Sequence, residues 1–199
     1  MAKNFSKKMK LWKLFKKLYE IAAEEMILEI KDFIKKGEKV LDLGCGSGIL
    51  AKKLKEKLEV EVLGIDVADQ RIEKIPFQKF DGKKLPFKED SFDTVLISFV
   101  LHHTQEPIEI LKESKRVAKK IIIFEDLPEN ILGRIRCYLH LHSFKFLFKN
   151  TALNFNFFRE KEWERIFKNL NLKLITKKNF NHSFSFLDPV KKKIFVLKT

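Results

Sequence analysis

The apolar positions of this chain follow two rhythms that change at Gly37. From Met9 to about Lys36, the residues Leu11, Leu14, Phe15, Leu18, Ile21, Ala22, Ile27, Ile30, Phe33 and Ile34 recur at helical spacing with lysines between them, which predicts one or two amphipathic helices within 1–36. A basic amphipathic segment of this kind either covers one end of a domain or lies on a membrane surface, and a helical cap is the expectation. Beyond Gly37, short apolar runs alternate with helical stretches, the layout of a parallel sheet covered by helices. The runs at 39–43, 61–65, 77–80, 94–99, 120–125, 172–180 and 193–197 predict seven strands. The intervening helices are expected at 49–58, about 69–74, 107–118 and 160–170, the last turning Trp163, Ile166, Phe167 and Leu170 inward. Between the fifth strand and the last helix, 127–159 is too long for a simple connection and is crowded with Phe144, Phe146, Phe148, Phe155, Phe157 and Phe158. Long segments of this sort serve as lids or binding loops, so its aromatics belong either to a satellite core or to the wall of an apolar pocket.

At 199 residues, with no internal repeat or long linker, the pattern fits one domain over 1–199 with one core. The formal charge of +14 changes the picture only a little, because it comes almost wholly from lysine; arginine occurs only at Arg71, Arg116, Arg134, Arg136, Arg159 and Arg165. Arginine is the usual residue for bidentate phosphate and base-edge contacts, so a solvated lysine coat is expected, with RNA or an anionic membrane as the sharper alternatives. Cys45 and Cys137 form no metal or redox spacing and no disulfide framework. No apolar stretch reaches signal-peptide length or the ~18 residues of a membrane span, which predicts a cytoplasmic protein with at most peripheral membrane contact through the N-terminal helix.

The strongest chemical signal is Val-Leu-Asp-Leu-Gly-Cys-Gly-Ser-Gly at 40–48, an acidic residue at the end of a buried strand followed by Gly44, Gly46 and Gly48. Glycines let the backbone come within contact distance of a ligand, and the helix that follows offers unpaired amides there. Such a turn alone also suits a dinucleotide, but the dinucleotide fingerprint spaces its glycines G-x-G-x-x-G, whereas this chain has G-x-G-x-G.

With this motif the chain resembles the class I S-adenosylmethionine-dependent methyltransferases, in particular the small-molecule group that includes the ubiquinone and menaquinone C-methyltransferases. The resemblance runs over about 39–197 and implies a Rossmann-like α/β fold: a seven-stranded, mostly parallel sheet with helices on both faces, the last strand antiparallel, and an N-terminal helical cap. It also implies S-adenosylmethionine as cofactor and S-adenosylhomocysteine as product. Carried over residue by residue, the cofactor contacts fall on Gly44, Gly46 and Asp42, with Cys45 a spacer. Gly-Ile-Asp-Val at 64–67 places Asp66, beside Val67, where the family's acidic residue accepts from both ribose hydroxyls, a task suited to an ionised acceptor with two oxygens. Phe-Asp-Gly at 80–82, followed by Leu-Pro-Phe, makes Asp81, beside Gly82, the candidate for the adenine amino group. The stretch 91–103, ending in Leu-His-His, resembles the fourth strand and its loop, so that Ser98 and Phe99 line the cofactor and acceptor sides of the pocket. Two departures stand out. The family's Pro-Gly-Gly turn before strand five is replaced by Arg-Val-Ala-Lys-Lys at 116–120, and the aromatic insertion prevents transfer of acceptor specificity from any quinone enzyme.

Because the sulfonium already activates the methyl group, the protein's main tasks are to hold the acceptor in line and exclude water. Where a proton must leave, His102 is the candidate base or acceptor contact, with Glu125 or Asp126 as carboxylates at the same sheet edge. His140 and His142 stand two apart, on different faces of a helix, so no metal is expected. The acceptor is expected to be a small or lipid-like molecule. RNA methylation is the alternative favoured by charge, although the Asn/Asp-Pro-Pro-aromatic segment of amino-group enzymes is absent after strand four and neither cysteine follows a proline. A non-catalytic S-adenosylmethionine-binding module and an NAD-dependent oxidoreductase are the remaining alternatives, separable by assaying methyl transfer and by cofactor competition.

Overall fold

The computed structural model of the protein describes residues 2–147, 156–181, 183 and 190–199, the side chains of 2–15 and 143–147 excepted. Phe144, Phe146, Phe148 and Phe155, Leu11, Leu14 and Phe15 therefore lie outside the described side chains. The N-terminal segment forms one long helix, α1 (Ala2–Ile30), closed by a 3₁₀ turn at Lys31–Phe33. Its inner face buries Ala23, Met26, Ile27 and Ile30. Its polar flank pairs Glu24 with Lys53 at 2.7 Å, which ties it to the helix that follows the glycine turn, and Lys16 with Glu73 at 2.6 Å, in the segment that follows the second strand.

The remaining elements are β1 (Lys39–Leu43), α2 (Ile49–Leu58), β2 (Glu61–Asp66), β3 (Phe77–Lys79), β4 (Thr94–Ser98), a 3₁₀ turn (Leu101–His103), α3 (Pro107–Val117), β5 (Lys120–Leu127), α4 (Ile131–Leu147), α5 (Glu160–Asn169), β6 (Lys173–Asn179) and β7 (Lys191–Lys198). The strands form one sheet in the order β3-β2-β1-β4-β5-β7-β6. The first five run parallel, and β7 runs antiparallel between β5 and β6. Strand order reverses between β1 and β4, the place where open α/β sheets leave a crevice at their carboxyl edge.

Both faces of the sheet are covered, which is why β4 and β5 read as unbroken apolar runs. Leu41, Leu43, Val95, Ile97, Ile121, Ile123 and Leu127 point to a core shared with Leu111, Trp163 and Phe167 of α3 and α5. Val40, Leu96, Ile122 and Phe124 point to a second core shared with Ile27, Ile30, Ala51 and Leu54 of α1 and α2. Each fully buried aliphatic side chain contributes about 1.5–3 kcal/mol relative to exposure. Of the inward residues expected on α5, Trp163 and Phe167 are buried, while Ile166 and Leu170 pack partly buried against the same core.

Two elements differ from the sequence reading. The stretch 69–74 is not helical. Its amides at Ile72 and Glu73 both donate to the Ser47 carbonyl, at 2.9 and 3.2 Å, and Arg71 is held by Asp69 and the Ile75 carbonyl, so these two amides serve the glycine turn instead of a helical ladder. A run this short has no hydrogen-bonding advantage in coiling that would offset helix nucleation. The insertion, in turn, carries α4, seated by buried Cys137 and Leu141 against Phe157 and Val190. Strand β5 also extends to Leu127, where Asp126 stands opposite Lys192 of β7 and pairs with it at 3.5 Å, a cross-strand contact of opposite charges that favours continued pairing. Among the described residues no helix is long and apolar enough to cross a membrane.

Candidate active site

The chain leaving β1 turns sharply because Gly44 adopts φ +75°, which lets the amides of Gly44 and Cys45 both reach the Ile65 carbonyl of β2 at 2.8 and 3.2 Å. There is no room for a side chain here: a Cβ on Gly44 would stand 2.4 Å from Cγ2 of Val100, the residue two beyond the end of β4. The turn then runs over the end of β2, where Asp66 accepts from the Gly46 amide at 3.0 Å and the Ala68 amide at 3.3 Å, one through each oxygen. Gly48, at φ +77°, opens α2. Cys45 lies buried in this turn, and burial followed by the charges of Asp42 and Asp66 pushes its thiol far above the ordinary range, which leaves it neutral and unreactive.

Asp42 is buried at 2% exposure, and its Oδ2 finds no hydrogen-bond partner among the described residues. Burial, and after it the nearby charge of Asp66, raises its pKa to about 7. Ser98, at the end of β4, has a buried Oγ that likewise lacks a partner. Asp42 stands opposite Leu96, and Ser98 follows Leu96 by two residues, so strand alternation puts both polar groups on the α1–α2 face of the sheet. On the same face Phe99, held at φ +55° with its amide on the Phe124 carbonyl at 2.8 Å, packs its ring against Phe124 and Phe180. A non-glycine residue in the left-handed region after a central strand is a strained position of the kind found at ligand sites. Val67 is exposed beside Gly82, whose hypothetical Cβ would meet Val67 Cγ1 at 3.0 Å. Neighbouring Asp81 is exposed and caps its own loop by accepting from the Lys83 and Lys84 amides at 2.8 and 3.1 Å, which holds its carboxyl below the usual carboxylate range.

His102 and Glu125 meet on the opposite face. Glu125 follows Ile123 by two residues and so points with the α3–α5 core, where it is buried at 1% exposure. One of its oxygens accepts from the Leu101 amide at 2.8 Å, and the other faces His102 Nδ1 at 2.5 Å. Burial is the strongest single influence on His102 and opposes protonation, but the carboxylates of Glu125 and Asp126 outweigh it, and the net shift is upward. Phe157 stacks on the His102 ring at 4.4 Å. His103 and His140 come together at 3.4 Å between their Nε2 atoms, a meeting that spans 37 positions of sequence and that no local spacing could announce. Burial, with smaller contributions from His102 and His140, pushes His103 down to about 2. Val100, which sets the tightness of the glycine turn, was also outside the residues that sequence reasoning singled out.

Residues 15–177 match the methyltransferase domain family, and the chain belongs to it. Its cofactor is S-adenosylmethionine. The chain is 34% identical over 117 residues to a demethylmenaquinone methyltransferase of Thermotoga maritima, covering 53% of this chain and 49% of that protein. It is 35% identical over 121 residues to an uncharacterized protein of Methanocaldococcus jannaschii, covering 58% of each. The chain thus spans about half the length of these curated relatives. Among solved structures, the fold is similar to a SAM-dependent methyltransferase from Aquifex aeolicus, with a TM-score of 0.66, 18% identity and 98% of each chain covered. It is also similar to the putative methyltransferase complexed with the Trm112 activator of Haloferax volcanii, with a TM-score of 0.70, 14% identity and 96% of each chain covered.

Proposed function

We propose that the chain transfers the methyl group of S-adenosylmethionine to a small or lipid-like acceptor, with the cofactor held on the α1–α2 face of the carboxyl edge. The observation that carries this reading is the pair of orphaned buried groups, Asp42 Oδ2 and Ser98 Oγ, flanking a turn with no room for a side chain at Gly44. A buried carboxylate oxygen with no protein partner among the described residues suits a ligand that brings a cation or hydrogen-bond donors to it, and the amino-acid and ribose parts of the cofactor carry both. When bound, the cofactor supplies a methyl group already activated by its sulfonium.

The roles of the chain's own residues follow from their positions. Gly44 and Gly46 let the backbone approach the ligand, while Asp66, held at the end of β2 by the Gly46 and Ala68 amides, is the carboxylate for the ribose hydroxyls. Asp81, Gly82 and Val67 edge the adenine side. Phe99, backed by Phe124 and Phe180, presents an apolar wall to the acceptor beyond Ser98. His102 and Glu125 act as positioning residues: both Glu125 oxygens are committed and His102 is only 1% exposed, so the pair fixes the turn after β4 and does not take a proton from the acceptor.

Support for an apolar acceptor comes from α4, which exposes Ile131, Leu132, Ile135, Tyr138 and Leu139. Incubation of the pure protein with methyl-labelled S-adenosylmethionine and fractionated cell extract tests the reading. Label is expected in the small-molecule or lipid fraction. Label confined to RNA would overturn the acceptor class, and none in any fraction would overturn methyl transfer.

A further inference from the structure

We propose that His102, His103 and His140 form a binding site for one divalent transition-metal cation of the zinc class, tying α4 to the turn after β4. One nitrogen of each lies within 4.8 Å of the others. His102 is the anchor. Its Nδ1 faces Glu125 at 2.5 Å, and its Nε2 is buried with no hydrogen-bond partner among the described residues. A histidine whose far nitrogen is oriented by a carboxylate while its near nitrogen is left for a ligand is the usual carboxylate–histidine–metal arrangement, in which the carboxylate fixes the tautomer and raises the basicity of the ring.

The other two imidazoles supply the spacing. Two nitrogens bound to one tetrahedral zinc at ~2.0–2.1 Å stand ~3.3 Å apart, and the Nε2 atoms of His103 and His140 are separated by 3.4 Å. The remaining separations, none above 4.8 Å, call for small side-chain shifts, and His140 stands at an exposed position on α4. Three imidazoles are a donor set for zinc, nickel or copper and a poor one for magnesium or calcium. Three protein ligands leave a fourth position for water or an exogenous ligand. The site does not depend on the proposed methyl transfer, since Asp42 and Ser98 lie on the other face of the sheet.

The test uses the full chain, stripped with a chelator and titrated with Zn²⁺ alone against a competing chromophoric chelator. The expected result is one Zn²⁺ per chain. His140→Gln, at an exposed position, and His103→Gln should each weaken binding at least about tenfold, and Glu125→Gln about 10- to 100-fold, the usual range for an outer-shell carboxylate. Circular dichroism should show each variant folded. Co²⁺ in place of Zn²⁺ should give the intense visible absorption of a tetrahedral site, lost in His140→Gln. Absence of stoichiometric binding in the parent overturns the proposal. So does binding that His140→Gln and His103→Gln leave unchanged, which would place the metal elsewhere and reduce the trio to a packed imidazole contact.

Discussion

Asp42 is a residue whose charge works against the fold and, on the proposed function, for the ligand. Burial and Asp66 hold its pKa near 7, against about 3.9 in an unfolded chain. The unfolded chain gives up this proton first, so ionisation destabilises the fold progressively from about pH 4 to pH 7, and the penalty is complete above that. In the absence of cofactor, Asp42→Asn is therefore expected to be more stable than the parent at pH 8, by on the order of 2–4 kcal/mol. The gain should fade as the pH falls toward 4. Chemical denaturation across this range checks it; an offset of the same size at pH 5 and pH 8 would show that the charge is not the cause. On the proposed cofactor site, the same substitution should weaken S-adenosylmethionine binding in calorimetry, since it removes a buried carboxylate. The places of Asp42, Gly44 and Asp66 at strand ends and in the glycine turn were legible because that pattern is local in sequence. The sequence could not distinguish Glu125 as a base from Glu125 as a support, because that depends on the Leu101 amide and the His102 ring, which reach it from 24 and 23 positions away.

At the scale of elements, the cradle depends on how closely the chain leaving β4 presses on the turn leaving β1. Gly44→Ala forces a methyl group to 2.4 Å from Val100 and puts alanine at φ +75°. Left-handed backbone costs a non-glycine residue roughly 1–2 kcal/mol and overpacking about 1–3 more. Adding Val100→Ala should recover the packing part and leave the backbone part, so a double-mutant cycle in urea denaturation should give a favourable coupling of about 1–3 kcal/mol. Additive losses would mean that the two elements do not press on each other. Strands β1, β2, β4 and β5 were legible because parallel strands covered on both faces are short, continuous and apolar, whereas β6 alternates between exposed and half-buried positions along an edge of the sheet. The stretch 69–74 misled because its apparent helical phase competes with a carbonyl, that of Ser47, far away in sequence. Helix α4 went unread for a different reason: Ile131, Leu132, Ile135, Tyr138 and Leu139 face outward while Cys137 and Leu141 face inward, so apolar residues fall on both sides and leave no clear stripe.

For the whole molecule, ligand linkage is the broadest check on the cofactor site. A ligand that binds only the folded chain adds about 2.7 kcal/mol at 100 times its dissociation constant. For a chain of this size, each kcal/mol raises the melting temperature by about 2–4 °C, so saturating S-adenosylmethionine or S-adenosylhomocysteine should raise it by about 5–10 °C, and NAD should not. Differential scanning calorimetry reads this directly, and an equal shift with NAD would point to a different cofactor. The alternation of side chains along β4 and β5 assigns Asp42 and Ser98 to one side of the sheet and Glu125 to the other. The sheet therefore works as a partition crossed only by its backbone: the Leu101 amide held by Glu125 on one side follows directly on Val100, which presses against Gly44 on the other, so loosening the histidine side is expected to slacken the glycine turn as well.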